Sequence, residues 1–121
     1  MIPFLQELNK EFKKVCSESY LEYNTSKKVI YPYLTYNLNS EYLENQEGFY
    51  IDIDIFDNCG ANTINLEIVL HDIKKHFKET VILTDDLLLQ FQYQTSRNIP
   101  TGSNTLRRRN IQLYCRVDWR R

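Results

Sequence analysis

The chain has 121 residues, enough for one domain that buries about two thirds of the surface its unfolded form exposes. Hydrophobic residues at 42% and charged residues at 26% match an ordinary globular protein and argue against a disordered chain. No apolar run approaches the ~20 residues that span a bilayer, and the opening MIPFLQELNKEF lacks the apolar centre of a secretory signal, so the expectation is a single domain over residues 1–121, kept inside a cell with no membrane partner.

The net charge of −1 hides an uneven distribution. Residues 1–60 hold five Lys and ten acids, a balance of −5, while residues 61–121 hold ten Lys or Arg and six acids, a balance of +4. One half of a copy could therefore attract the other half of a neighbour, unless the two halves interleave in the fold. The three cysteines, Cys16, Cys59 and Cys115, form no CxxC pair, and their odd number argues for free thiols rather than a disulfide framework. Nine tyrosines, concentrated before Phe56, suit half-buried strands and protein interfaces alike.

From Pro3 to about Leu21, Phe4, Leu5, Leu8, Phe12, Val15 and Cys16 recur at helical spacing among Glu and Lys, which predicts an amphipathic helix. After a polar stretch, Asn24 to Lys28, the run Val29 to Asn39 is rich in β-branched and aromatic residues. Pro32 lacks an N–H for a ladder, so this strand begins there or lies at an edge. An acidic loop is expected over Ser40 to Gln46. Phe49, Ile51, Ile53 and Ile55 then alternate with Tyr50, Asp52, Asp54 and Phe56, a period of two that predicts a strand closed by the turn Asp57-Asn58-Cys59-Gly60.

A second helix is predicted from Asn62 to Lys78, capped by Asn62 or Thr63, with Ile64, Ile68, Ile73 and Phe77 on its buried face and Val69 and Leu70 widening it. Val81 to Leu83 and Leu87 to Thr95 read as strand interrupted at Asp85-Asp86 by a turn or bulge, and Ser96 to Thr105 reads as a polar loop. In the closing strand, Leu106 to Trp119, the residues Ile111, Leu113, Cys115, Val117 and Trp119 face the core, and Asn110, Gln112, Tyr114, Arg116, Asp118 and Arg120 face water. The expected fold class is α+β, a small antiparallel sheet flanked by two helices in the order α-β-β-α-β-β.

The residues that might carry chemistry are few. Asp52 and Asp54 share a strand face, where an acid/base pair or a cation site is possible, but no third ligand is evident and a solvated strand face is the better account; Asp85-Asp86 has the same standing. His71 and His76 are five apart, about 140° out of phase on a helix, so they do not share a metal. A nucleophilic role for Cys16 or Cys59 would need a histidine close in space. With three glycines and no phosphate-loop, nucleophile-elbow or zinc-protease motif, the sequence points away from an enzyme and implies no cofactor or metal. What remains is the basic C-terminal region. Arg97, Arg107, Arg108, Arg109 and Arg116 are five of the seven arginines that accompany one acid from Arg97 onward, and with Tyr114 they form the candidate assembly or DNA-channel surface. Alternation would place Arg107 and Arg109 on one strand face and Arg108 on the other.

The order of elements, the Tyr-Pro-Tyr strand from Ile30 to Leu38, the strand FYIDIDIFD before a capped helix, and the closing LRRRNIQLYCRVDW resemble the tail terminator proteins of long-tailed bacteriophages and prophages. The resemblance covers about Val29 to Trp119. It implies a structural virion protein, assembled in the bacterial host cytoplasm, whose copies form a ring, typically a hexamer. Such a ring caps the tail tube, stops its polymerisation and joins the tail to the head. The implied partners are further copies of the chain, the tail tube protein, a head-closure or neck protein, and transiently the packaged DNA. The alternatives are a head-closure or adaptor protein nearer the portal, a nucleic-acid-binding module using Arg107 to Arg109, and a small hydrolase or metal enzyme.

Overall fold

A computed structural model describes residues 2–38, 48–85 and 87–119. Eight elements follow one another: helix α1 (Ile2–Val15), strands β1 (Ser19–Leu21), β2 (Tyr33–Leu38) and β3 (Gly48–Asn58), helix α2 (Ile64–Glu79), and strands β4 (Val81–Leu83), β5 (Leu87–Ile99) and β6 (Leu106–Trp119). The strands form one sheet in the order β1-β2-β3-β6-β5-β4. Every neighbouring pair is antiparallel except β1 and β2, which run parallel.

This overturns the expected small antiparallel sheet of four strands in the order α-β-β-α-β-β. Two additional short strands form its edges, and the sheet is mixed. The predicted first helix ran through β1, but α1 stops at Val15, where Cys16 N–H still reaches the Phe12 carbonyl (2.9 Å) and the Ser19 hydroxyl reaches the Phe12 (3.2 Å) and Cys16 carbonyls. A buried hydroxyl thus meets the carbonyls that the helix end would leave without partners. The predicted interrupted strand after α2 is a hairpin of two strands, since Ile82 pairs with Leu89 across the turn. The predicted loop from Ser96 begins four residues too early, because β5 continues to Ile99 after an irregularity between Tyr93 and Thr95. The acidic loop expected over Ser40 to Gln46, together with Asp86 and Arg120, lies outside the described residues, as do the side chains of Phe4 and Trp119.

Among the described residues both helices pack on one face of the sheet. Leu34, Tyr36, Ile51, Ile53, Ile55, Leu89, Phe91, Ile111, Leu113, Cys115 and Val117 point into a core closed by Leu8 and Phe12 of α1 and by α2. A line of rings joins the layers: Phe12 stacks on Tyr36 with centroids 4.2 Å apart, Phe77 lies 4.9 Å from Phe12, and Phe91 lies 4.9 Å from Phe77. Each such pair adds about 0.5–1.5 kcal/mol beyond the area it buries. Tyr36 also donates its hydroxyl to Asn9 Oδ1 (3.0 Å), which fixes α1 against β2.

The buried stripe of α2 is Leu66, Val69, Leu70, Ile73 and Phe77, and not the expected one that began with Ile64 and Ile68, which are exposed. The reason is helical phase. Nine residues separate Ile64 from Ile73, roughly 900° at 100° per residue, so the two project from opposite sides of the helix. Ile73→Ala is accordingly expected to cost about 2–5 kcal/mol in urea unfolding and Ile68→Ala to stay within about 0.5 kcal/mol, an inversion that would restore the original stripe if seen.

Burial also raises the Cys115 thiol from its ordinary 9.0 to about 12 and the Tyr36 phenol from 10.0 to about 12. The folded chain then holds these protons more tightly than the unfolded chain. Stability from this source is complete below pH 9 and is lost as pH rises toward 12. Urea midpoints measured over that alkaline range should fall with pH, and less steeply in Cys115→Ala.

Candidate functional site

The uncovered face of the sheet displays the outward side chains of its long central strands. Along β3 these are Tyr50, Asp52, Asp54 and Phe56; along β6 they are Arg108, Asn110, Gln112, Tyr114 and Arg116. The ladder puts Asp54 opposite Asn110 and Asp52 opposite Gln112. Asp54 accepts from Arg108 Nε (3.0 Å) and Asn110 Nδ2 (3.1 Å), and Gln112 Nε2 lies 3.5 Å from Asp52 Oδ1. The expected pair of solvated carboxylates is thus a cross-strand polar network, with Asp54 buried within it. A charge-assisted hydrogen bond from a guanidinium fixes such a carboxylate in place between the two strands.

Aromatic rings extend this face toward the β1 edge. Tyr33 stacks on Phe56 at 4.9 Å, Tyr20 meets Tyr33 edge-on at 6.4 Å, and the Arg108 guanidinium lies 5.6 Å from the Phe56 ring. At the other end of β3, Tyr50 and Tyr114 meet at 5.1 Å. Gly48 belongs to that contact: a Cβ there would run into the Tyr114 phenol and lie 2.8 Å from the Cys115 carbonyl oxygen.

The six arginine and tyrosine positions singled out from the sequence do not form one patch. Arg97, Arg108, Tyr114 and Arg116 lie on the uncovered face, whereas Arg107 and Arg109 point to the helix side, as strand alternation requires. Their charges are also engaged unequally. Arg109 Nη2 pairs with Glu67 of α2, and Arg108 pairs with Asp54. Arg107 Nε donates to the Gly60 carbonyl (2.8 Å), while Gly60 N–H donates to the Thr105 carbonyl (2.9 Å), so the entrance to β6 is fastened to the turn before α2. Arg116 stands 4.0 Å from Asp118, and Arg97 and Arg107 have no acid within 4.0 Å among the described residues. Arg107, Arg108 and Arg109 line a cleft of about 430 Å³ with Asn98, Pro100 and Thr63. Two of its three cations are thus already neutralised from within the chain.

The other candidates for chemistry stay apart. Among the described residues no three of His, Cys, Asp and Glu gather as metal ligands would. His71 is exposed on α2, while His76 lies 3.5 Å from Glu11 and edge-on to Phe77. Cys16 and Cys115 are buried free thiols, Cys59 is a half-buried one, and burial raises the pKa of all three, so each is held as the less nucleophilic thiol. Asp85 sits exposed after β4.

Sequence reasoning missed the exposed aliphatic side chains. Ile64 and Ile68 wall a shallow groove of about 320 Å³ on α2 with Glu67 and His71. Val81 and Leu83 stand out at the β4 edge, and Val29, Ile30 and Tyr31 in the segment before β2. Helical phase would have exposed Ile64 and Ile68; the others depend on which strands form the edges. No helix among the described residues is long and apolar enough to cross a membrane.

No protein-family model matches the sequence, and neither does any curated protein. A solved structure does match in fold: a chain of the virion of a native gene transfer agent particle superposes with a TM-score of 0.54 at 9% identity, over 88% of this chain and 83% of that chain. At that identity the likeness is one of fold.

The arginine pairs lead to a contrast. Arg109, 14% exposed against 48% for Glu67, ties β6 to α2, so Arg109→Ala should lower stability by about 1–2 kcal/mol. Arg97→Ala and Arg116→Ala should each stay within about 0.5 kcal/mol in the same denaturation assay.

Proposed function

We propose that this chain is a structural virion protein of a phage-like particle, rather than an enzyme, and that its copies close into a ring that caps the tail tube and joins it to the head. The observation that carries the reading is the shared fold with a chain of a gene transfer agent virion, which extends over most of both chains. It agrees with the tail-terminator resemblance of the Tyr-Pro-Tyr, FYIDIDIFD and LRRRNIQLYCRVDW segments.

The surface chemistry supports assembly. A sheet face left bare by both helices presents Tyr50, Tyr114, Arg108 and Arg116, the residue types enriched at the centres of protein interfaces. In this reading six copies form the ring, and its partners are the tail tube protein on one side and a neck protein on the other. Arg97, Arg107 and Arg116, whose charges are the least engaged within the chain, face a neighbouring ring or the channel through which DNA passes. A purely nucleic-acid-binding role has less support, because Arg108 and Arg109 spend their charge on Asp54 and Glu67.

Light scattering coupled to gel filtration, with electron microscopy of the same fractions, tests the proposal. Rings of a single stoichiometry that bind the ends of purified tail tubes are expected. A chain that stays strictly monomeric at high concentration and low salt would overturn it.

A further inference from the structure

The two edges of the sheet each leave aliphatic side chains in water. At the β4 edge Val81 and Leu83 are 55% and 61% exposed on either side of buried Ile82. At the β1 end of the sheet Val29 and Ile30 are 47% and 49% exposed in the segment that joins the end of β1 to the start of β2. A parallel pair forces that return: the chain must run back the length of β1 before β2 can begin in the same direction. An edge strand without guarding charge at its centre invites pairing with another chain.

These two patches cannot cover each other within one molecule. Each is exposed in the single chain, and the two belong to opposite ends of the six-strand sheet. Their flanking charges differ in sign. Exposed Lys27 and Lys28 precede Val29, with Glu22 opposing them earlier in the segment; exposed Glu79 and Asp85 bracket β4, with Lys78 opposing them at the end of α2. Two β4 edges meeting would set acids against acids, and two β1 edges would set lysines against lysines. Unlike patches match in apolar character and in the charges nearest the exposed aliphatics, lysines at Lys27 and Lys28 against acids at Glu79 and Asp85.

We propose that the β4 edge of one copy docks on the β1 edge of the next, Val81 and Leu83 against Val29 and Ile30, with Glu79 and Asp85 opposite Lys27 and Lys28. The contact is heterologous, so every copy uses both edges at once and the series ends only where rotation closes it. The inference rests on the assembly reading above and specifies its interface.

Two full-length variants test it by analytical ultracentrifugation, with circular dichroism to check folding. Val81→Asp with Leu83→Asp removes one edge, and Val29→Asp with Ile30→Asp removes the other. Each alone should associate about tenfold or more weakly than the parent. An equimolar mixture should give one-to-one dimers and nothing larger, since each variant brings one intact edge. A folded variant that assembles like the parent, or a mixture that stays monomeric, overturns the edge contact while parent rings preserve the assembly reading. A monomeric parent overturns both. Should either variant fail to fold, surface charge decides: Lys27→Glu with Lys28→Glu should weaken assembly about tenfold, and adding Glu79→Lys with Asp85→Lys should restore it. Absence of that rescue overturns the proposal.

Discussion

β3 and β6 pair along eleven consecutive positions, from Gly48 opposite Arg116 to Asn58 opposite Leu106, and the rest of the molecule is arranged around that register. Side chains alternate along both strands, so a slip of β6 by one residue would turn Ile111, Leu113, Cys115 and Val117 out of the core together. The uncovered face resists such a slip with directional contacts: Asp54 held by Arg108 and Asn110, Asp52 near Gln112, and Tyr114 lying over Gly48. Apolar burial favours the pairing, and the polar network makes one register specific.

The arginines follow from this register. Because successive side chains point to opposite faces, the run Arg107-Arg108-Arg109 divides between the helix side and the bare side. On the helix side Arg109 meets Glu67 and Arg107 meets the turn at Gly60; on the bare side Arg108 meets Asp54 and the Phe56 ring. What reads in sequence as a concentrated positive patch is largely a set of fastenings between β6 and its surroundings. Among the described arginines, Arg97, Arg107 and Arg116 are the least engaged, spread along β5 and β6 rather than gathered.

Both helices lie on one face, and that asymmetry produces the surfaces available to partners. The aromatic line from Tyr36 through Phe12 and Phe77 to Phe91 locks α1 and α2 to the sheet and leaves its opposite face without cover. The crossing of α2 from β3 to β4 brings a short, aliphatic strand to one edge, while the parallel return from β1 to β2 brings Val29 and Ile30 to the other. Among the described residues the result is a two-layer domain in which both helices pack on one sheet face and the short strands β1 and β4 form the edges.

The long periodic elements were legible from the sequence alone. Ile51, Ile53 and Ile55 alternate strictly, as do Ile111, Leu113, Cys115 and Val117, and the structure buries all of them. The division of the arginine run followed from the same two-residue period. Tertiary structure decided the rest. A three-residue strand such as β1 carries too few alternations to register, and Val81 to Leu83, legible as strand, folds back on Leu88 to Gln90 as a separate strand only because the long β5 supplies its hydrogen-bond partners. Asp54 reads as a solvated carboxylate until β6 brings Arg108 and Asn110 to it from more than fifty residues away. Which aliphatic residues stay in water is likewise fixed by strand order, because an edge is a property of the assembled sheet and not of any segment within it.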